Sequence, residues 1–126
     1  MRLLLDTNIF LWFSTHHPRY TKSMESKILN ASEVYVSSGS IWEAAIKIRL
    51  KKLHADVAEL VDIITKSGLI QLPITVPHAA LVRHLPDIHQ DPFDRLLIAQ
   101  TISESLTFLT SDAKLKKYSH LVEVFE

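Results

Sequence analysis

Four acidic residues stand where an apolar, strand-like run gives way to a helix-like run, and this repeated junction constrains the fold most. Asp6 closes LLLD ahead of TNIFLWF, Glu43 follows VYVSSGSIW and begins EAAIKIRL, Asp94 lies in DPFDRLLIAQ, and Asp112 closes LTFLTSD ahead of AKLKKY. Strands alternating with helices indicate a parallel sheet covered on both faces, joined by right-handed crossovers. In such sheets the strand C-termini and helix N-termini line one edge, where ligand crevices form. Four distant segments then deliver four carboxylates to one place. Crowded carboxylates repel unless a cation lies between them, and hard cations such as Mg²⁺ take oxygen ligands. The pattern points to a metal-dependent site, with a phosphodiester as its substrate.

The hydrophobic pattern predicts the elements one by one. Residues 2–5 form a fully apolar strand of the kind buried on both faces. Residues 8–14 form a helix apolar nearly all round, ended by HHPRY at 16–20. Residues 22–31 form an amphipathic helix with Met24, Ile28 and Leu29 inward. A strand at 34–36 leads to a helix at 41–50. The helix at 56–67 carries Val57, Leu60, Val61 and Ile64 on one face and stops at Ser67-Gly68. A strand at 69–72, a helix at 76–85 and a loop at 84–92 follow. Residues 93–104 form a strong helix with Leu96, Leu97, Ile98 and Ile102. A strand at 107–110, a short helix at 113–118 and a strand at 121–125 complete the chain. Trp12 and Trp42 are expected in the core. The run IFLWF, residues 9–13, is too apolar for a helix with a wet face, so it is either fully buried or covered by a partner.

Composition narrows the function. The 126 residues fit a single domain spanning 1–126, long enough for a core without staples. With no cysteine, disulfides, thiolate zinc sites and cysteine nucleophiles are excluded. No signal peptide is recognisable and no stretch approaches the roughly 20 apolar residues of a membrane span, so a soluble cytoplasmic protein is expected. The formal net charge is zero, which argues against a non-specific nucleic-acid binder but not against a nuclease, since bound metal offsets acidic ligands. Two basic clusters, Lys47/Arg49/Lys51/Lys52 and Lys114/Lys116/Lys117, read first as solvated helix faces. The only glycines are Gly39 and Gly68, so neither a dinucleotide-binding turn nor a phosphate-binding loop exists. No nucleophile elbow is present either.

Each acid also has an ordinary structural explanation. Ser40-Ile41-Trp42-Glu43 fits a capping box. Asp91-Pro92-Phe93-Asp94 fits a helix start, with Asp91 as cap, Pro92 at the first position and Asp94 complementing the dipole. Asp112 and Asp6 fit as caps of the helices that follow them. Against this, Asp6 ends a strand that reads as buried, where a carboxylate is expensive unless paired or metal-bound. Among seven histidines, only His89 lies near the acidic set. It reads as able to touch a phosphate, with solvent exposure in the loop favoured. Arg95 reads as a brace pairing with a neighbouring acid in preference to a phosphate ligand.

LLLDTNIFLW, SIWEAAIK, DPFDRLLIAQ and LTSD, in this order and spacing, resemble the VapC-like toxins of the PIN-domain family. The form His89–Arg95 is similar to one bacterial subgroup. The resemblance implies a PIN-like three-layer α/β sandwich, with a five-stranded parallel sheet of order 3-2-1-4-5 and helices on both faces. It implies an endoribonuclease dependent on Mg²⁺ or Mn²⁺. The family's metal-site positions fall on Asp6, Glu43, Asp94 and Asp112. Asn8 matches the DTN element and would orient Asp6, while Thr110 and Ser111 match polar positions that help place the last acid. A homodimer and a small cognate antitoxin are implied as partners, with RNA as substrate. The competing readings are a catalytically silent PIN-like interaction module and another metal-dependent phosphoesterase. The first would show a lost acid, and none is lost. The second, in its haloacid-dehalogenase form, needs a second acid where Asp6-Thr7-Asn8 has asparagine.

Overall fold

Leu3, Leu4 and Leu5 have no solvent exposure. Successive strand side chains point to opposite faces, so three buried neighbours require a sheet covered on both sides. The computed structural model, which describes residues 1–125, places this strand, β1 (Arg2–Leu5), in the middle of a five-stranded sheet. The other strands are β2 (Glu33–Ser37), β3 (Ile70–Leu72), β4 (Thr107–Thr110) and β5 (Val122–Val124). Their order is β3-β2-β1-β4-β5 and every neighbouring pair is parallel, as the resemblance implied.

The helices are α1 (Thr7–Thr15), α2 (Lys22–Leu29), α3 (Ser38–Arg49), α4 (Val57–Lys66), α5 (Val76–Leu81) and α6 (Pro92–Glu104). They split the core in two. Leu3 and Leu5 pack with Ile9, Phe10, Met24, Ile28, Leu60 and Ile64. Leu4 packs on the opposite face with Leu97, Ile98, Phe108 and Leu115. Helices therefore cover both faces of the sheet. Among the described residues no helix is long and apolar enough to cross a membrane.

Several local expectations are corrected. The third helix begins at Ser38, not 41, because Ser37 caps it by accepting a hydrogen bond from the Gly39 amide at 3.0 Å. Ser40 is thus inside the helix and forms no capping box with Glu43. Leu29 is 75% exposed, because α2 turns only Met24 and Ile28 to the sheet. Trp42 is 58% exposed, its ring edge-on to Phe93 at 5.0 Å. Of the 9–13 run, Ile9, Phe10 and Leu11 are buried, and Trp12 and Phe13 are half-buried. The expected helix at 76–85 is α5 followed by a 3₁₀ turn at Val82–His84. Residues 113–118 are likewise a 3₁₀ helix. Gly68 ends α4 as expected, with φ +74, a left-handed conformation that favours glycine.

Candidate active site

The strand order fixes where a site can form. From β1 the chain builds outward through β2 and β3, then crosses back to place β4 on the other side of β1. The C-terminal ends of β1 and β4 therefore flank a topological switch point, where open α/β sheets leave a crevice. Leu5 pairs with Leu109 in register. The next residues, Asp6 and Thr110, project from that edge together.

Asp6 is 5% exposed. It occupies the cap position of α1, but its side chain makes no capping bond. Instead the Thr110 hydroxyl donates to Asp6 Oδ2. Thr110 Oγ1 also accepts from the Asp112 amide at 3.1 Å, so one buried threonine ties both acids to the end of β4. Asn8 is exposed, and among the described residues no side-chain hydrogen bond joins it to Asp6. Thr110 holds Asp6, in the role expected of Asn8. Ser111 is half-buried between the two anchored positions.

Next to Asp6, the Thr7 hydroxyl donates to Ser40 Oγ at 2.8 Å inside the core. This bond docks the start of α1 against α3. It sets Glu43, one turn beyond Ser40, near Asp6. Glu43 is 8% exposed. Lys47 holds its Oε2 at 3.0 Å, while Oε1 is buried with no hydrogen-bond partner among the described residues.

On the far side, Asp91 caps α6 as expected. Its Oδ1 accepts from the Phe93 and Asp94 amides at 2.9 and 3.1 Å, with Pro92 at the first helical position. The Asp94 carboxylate is free of that duty and meets His89 Nε2 at 2.9 Å. His89 is therefore not a solvent-exposed loop residue. One ligand atom each from His89, Asp94 and Asp112 lies within 4.8 Å of the other two. Asp6 and Glu43 lie outside this tight set but within reach of its charge. Asp112 serves twice, since its Oδ1 also accepts from the Lys114 amide at 3.0 Å.

The electrostatics record the crowding. Burial, followed by the nearby Asp94 charge, pushes the Asp6 carboxyl up to about 7 despite the Thr110 hydrogen bond. Burial, Asp91 and Glu43 push Asp94 up to about 6, with His89 pulling the other way. Capping accounts for Asp91 and partly for Asp112. It accounts for neither Asp6 nor Glu43. Raised carboxyls and an orphaned buried carboxylate oxygen fit a divalent cation, whose charge would reverse both penalties.

Arg95 is a brace, but it pairs with four carbonyls and a tyrosine hydroxyl and not with an acid. Its Nη1 donates to Pro86 O at 2.9 Å, to Tyr118 Oη at 3.2 Å and to His89 O at 3.4 Å, and its Nη2 to Val82 O and Leu85 O at 3.2 and 3.4 Å. The guanidinium thus fastens the loop that carries His89. Arg95→Ala is expected to lower stability by about 2 kcal/mol, the scale of hydrogen bonds to a charged group. An unchanged melting temperature would show that the loop holds itself. Of the basic clusters, Lys47 is engaged with Glu43 and Lys116 Nζ donates to Val122 O at 2.7 Å. The rest are solvated, as read. The Thr7–Ser40 bond had no sequence signal. His89 had one, its place five residues before Asp94.

Known proteins bear on this arrangement. The family model described as PIN domain matches residues 3–121. Ribonuclease VapC22 of Mycobacterium tuberculosis (strain ATCC 25618 / H37Rv) is 28% identical over 126 residues, covering 94% of this chain and 92% of that protein. VapBC2 from Rickettsia felis, solved bound to a DNA fragment from its promoter, superposes with a TM-score of 0.73 at 21% identity over 100% of both chains. DNA-bound VapBC from Salmonella typhimurium gives 0.66 at 20% identity over 98% of each. The two superpositions speak to the fold, and the family match spans nearly the whole chain. The chain belongs to the PIN domain family.

Proposed function

We propose that this protein is a metal-dependent endoribonuclease that hydrolyses RNA phosphodiester bonds, acting as the toxin of a toxin–antitoxin pair. One observation carries the reading. Asp6, Glu43, Asp94 and Asp112 converge on the switch point between β1 and β4, with Asp6 and Asp94 held reluctant to ionise and Glu43 Oε1 left without a partner among the described residues. The names of its relatives, a ribonuclease and two VapBC complexes, support the substrate and the pairing.

The four acids would hold Mg²⁺ or Mn²⁺, which supplies Lewis-acid activation of water and neutralises charge building on the scissile phosphate. The chain's own residues prepare the site for this. Thr110 fixes the rotamer of Asp6 and, through the Asp112 amide, the path of the next acid. His89 fixes Asp94. Burial and the Asp94 charge push the Asp6 carboxyl up to about 7, and as a ligand it would be held in its ionised form by the cation's charge. Lys47 pairs with Glu43 Oε2 at 3.0 Å and anchors its side chain.

The antitoxin, a homodimer and a cytoplasmic setting belong to the same proposal. An exposed apolar stripe along α3 and its C-cap, formed by Trp42, Ile46 and Leu50 at 58%, 38% and 57% exposure, supplies the kind of surface such partners cover. The test is direct. Purified protein is incubated with total RNA in Mg²⁺, Mn²⁺ or EDTA, and the new ends are sequenced. Discrete cleavage that EDTA abolishes is expected. Intact RNA in every metal would overturn the enzyme. Harmless expression of the chain alone, with no co-purifying product of a neighbouring gene, would overturn the toxin.

A further inference from the structure

A cavity of about 370 Å³ is lined by Trp12, Arg19, Thr21, Met24 and Ser111, none of them one of the four acids. The segment between α1 and α2 is built to shape it. His16 ends α1 with left-handed backbone, φ 53. The His17 ring stacks on Trp12 at 5.9 Å, and its Nδ1 accepts from the Arg19 amide at 3.1 Å. The Tyr20 amide donates to His17 O at 2.9 Å, and its ring packs edge-on to Phe13 at 5.7 Å. These contacts hold the Arg19 guanidinium over Trp12, 5.6 Å from the ring centroid. Arg19 is exposed and pairs with no carboxylate among the described residues. Thr21 caps α2 by accepting from the Met24 amide at 3.2 Å, which leaves its hydroxyl proton free to donate. Met24 closes the apolar floor at 1% exposure.

Ser111 joins this cavity to the reaction. It lies between Thr110, which holds Asp6, and Asp112. We infer that the cavity is a subsite for one nucleotide of a single-stranded RNA, next to the nucleotide whose phosphodiester the acids address. The inference rests on the ribonuclease reading and deepens it.

The chemistry favours this occupant. An unpaired cation suits a phosphate, and an arginine plane or indole offers a stacking face for an unstacked base. Thr21 and Ser111 add two hydroxyl-bearing side chains to the lining. The volume sits at the low end of the roughly 300–1,000 Å³ range of ligand pockets, too little for an α-helix of about 10 Å diameter. An RNA duplex keeps its bases stacked and has nothing to insert.

The test compares the wild type with Arg19→Ala and Arg19→Lys in steady-state cleavage of a short single-stranded RNA. In Arg19→Ala, KM should rise about tenfold, the scale of one charge-assisted contact, with kcat unchanged. The slope of log affinity against log salt should fall by about one. Arg19→Lys should recover the salt slope, because it restores the charge, and only part of KM. Shortening the RNA by the nucleotide that fills the cavity should erase the difference between Arg19→Ala and wild type. A second readout needs no catalysis. The chain has two tryptophans, so Trp42→Phe leaves Trp12 as the sole indole, and saturating RNA in EDTA should quench it. Wild-type cleavage with unchanged KM and salt slope in Arg19→Ala, and no quenching, would overturn the subsite and leave the ribonuclease standing. Loss of antitoxin binding in Arg19→Ala with RNA kinetics intact would overturn it in favour of a protein partner. No cleavage by the wild type together with no quenching would overturn both.

Discussion

Asp94→Asn is expected to abolish RNA cleavage while the fold persists. Replacing a partner of a metal ligand typically costs up to about a hundredfold in affinity or activity, so losing a ligand itself should exceed that. The side chain sits at the third position of α6 with its carboxylate turned to His89, and Asn keeps the shape and one acceptor oxygen. If Asp94 served only the helix dipole, its loss would cost a few tenths to about 1 kcal/mol and leave activity intact. The ligand reading gives the opposite sign for stability. Without metal, Asp94 is crowded by Asp91 and Glu43 and itself raises Asp6. Neutralising it relieves like-charge repulsion, and the metal-free variant should melt higher than wild type. Asp91→Asn is the matched control. Its Oδ1 accepts from two amides, a task Asn performs as well as Asp, so both activity and melting temperature should stay near wild type. Full activity in Asp94→Asn would refute the site as drawn here.

The architecture was legible because its signals are local. Three leucines before Asp6 can only be a doubly buried strand, and the alternation of strand and helix runs then implies a parallel sheet. The order of strands came from family resemblance, since no periodicity reports which strand neighbours which. The misreadings share a physical cause. Ser40 fits a capping box by spacing alone, but Ser37 reaches the Gly39 amide first and starts α3 earlier. Ser40 is then free to take the Thr7 hydroxyl, a contact between residues 33 apart in sequence that local patterns cannot register. Trp42 is large and apolar, yet α3 gives its inner face to Ala44 and Glu43 and leaves the indole outside. Leu29 ends a helix whose buried stripe is already complete with Met24 and Ile28. His89 looked solvent-facing because its loop is polar. Arg95, reaching four carbonyl oxygens between Val82 and His89 and the Tyr118 hydroxyl, is what turns it inward.

Asp6 makes the second large prediction, a loss of stability with rising pH in the metal-free protein. Its folded pKa, about 7, lies above the ordinary aspartate value of 3.8, and Asp94 follows at about 6. An acid raised on folding binds more protons in the native state than in the unfolded chain between those two values. Stability therefore falls as pH rises. The penalty is absent below the unfolded pKa and complete above the folded one. From about pH 5.5 to about pH 8 the loss should be on the order of 2 kcal/mol, taking roughly 1.4 kcal/mol for each pKa unit crossed. Asp6→Asn removes the ionisation while keeping an acceptor for Thr110, so its melting temperature should depend on pH much less than the wild type's. That comparison also cancels every other group that the two proteins share. Adding Mg²⁺ or Mn²⁺ should stabilise the wild type more at the higher pH, because ligands bind metal only after losing their protons. It should do little for Asp6→Asn. Equal pH slopes in the two proteins would mean that Asp6 ionises without penalty, and the electrostatic case for a cation between these acids would fall with it.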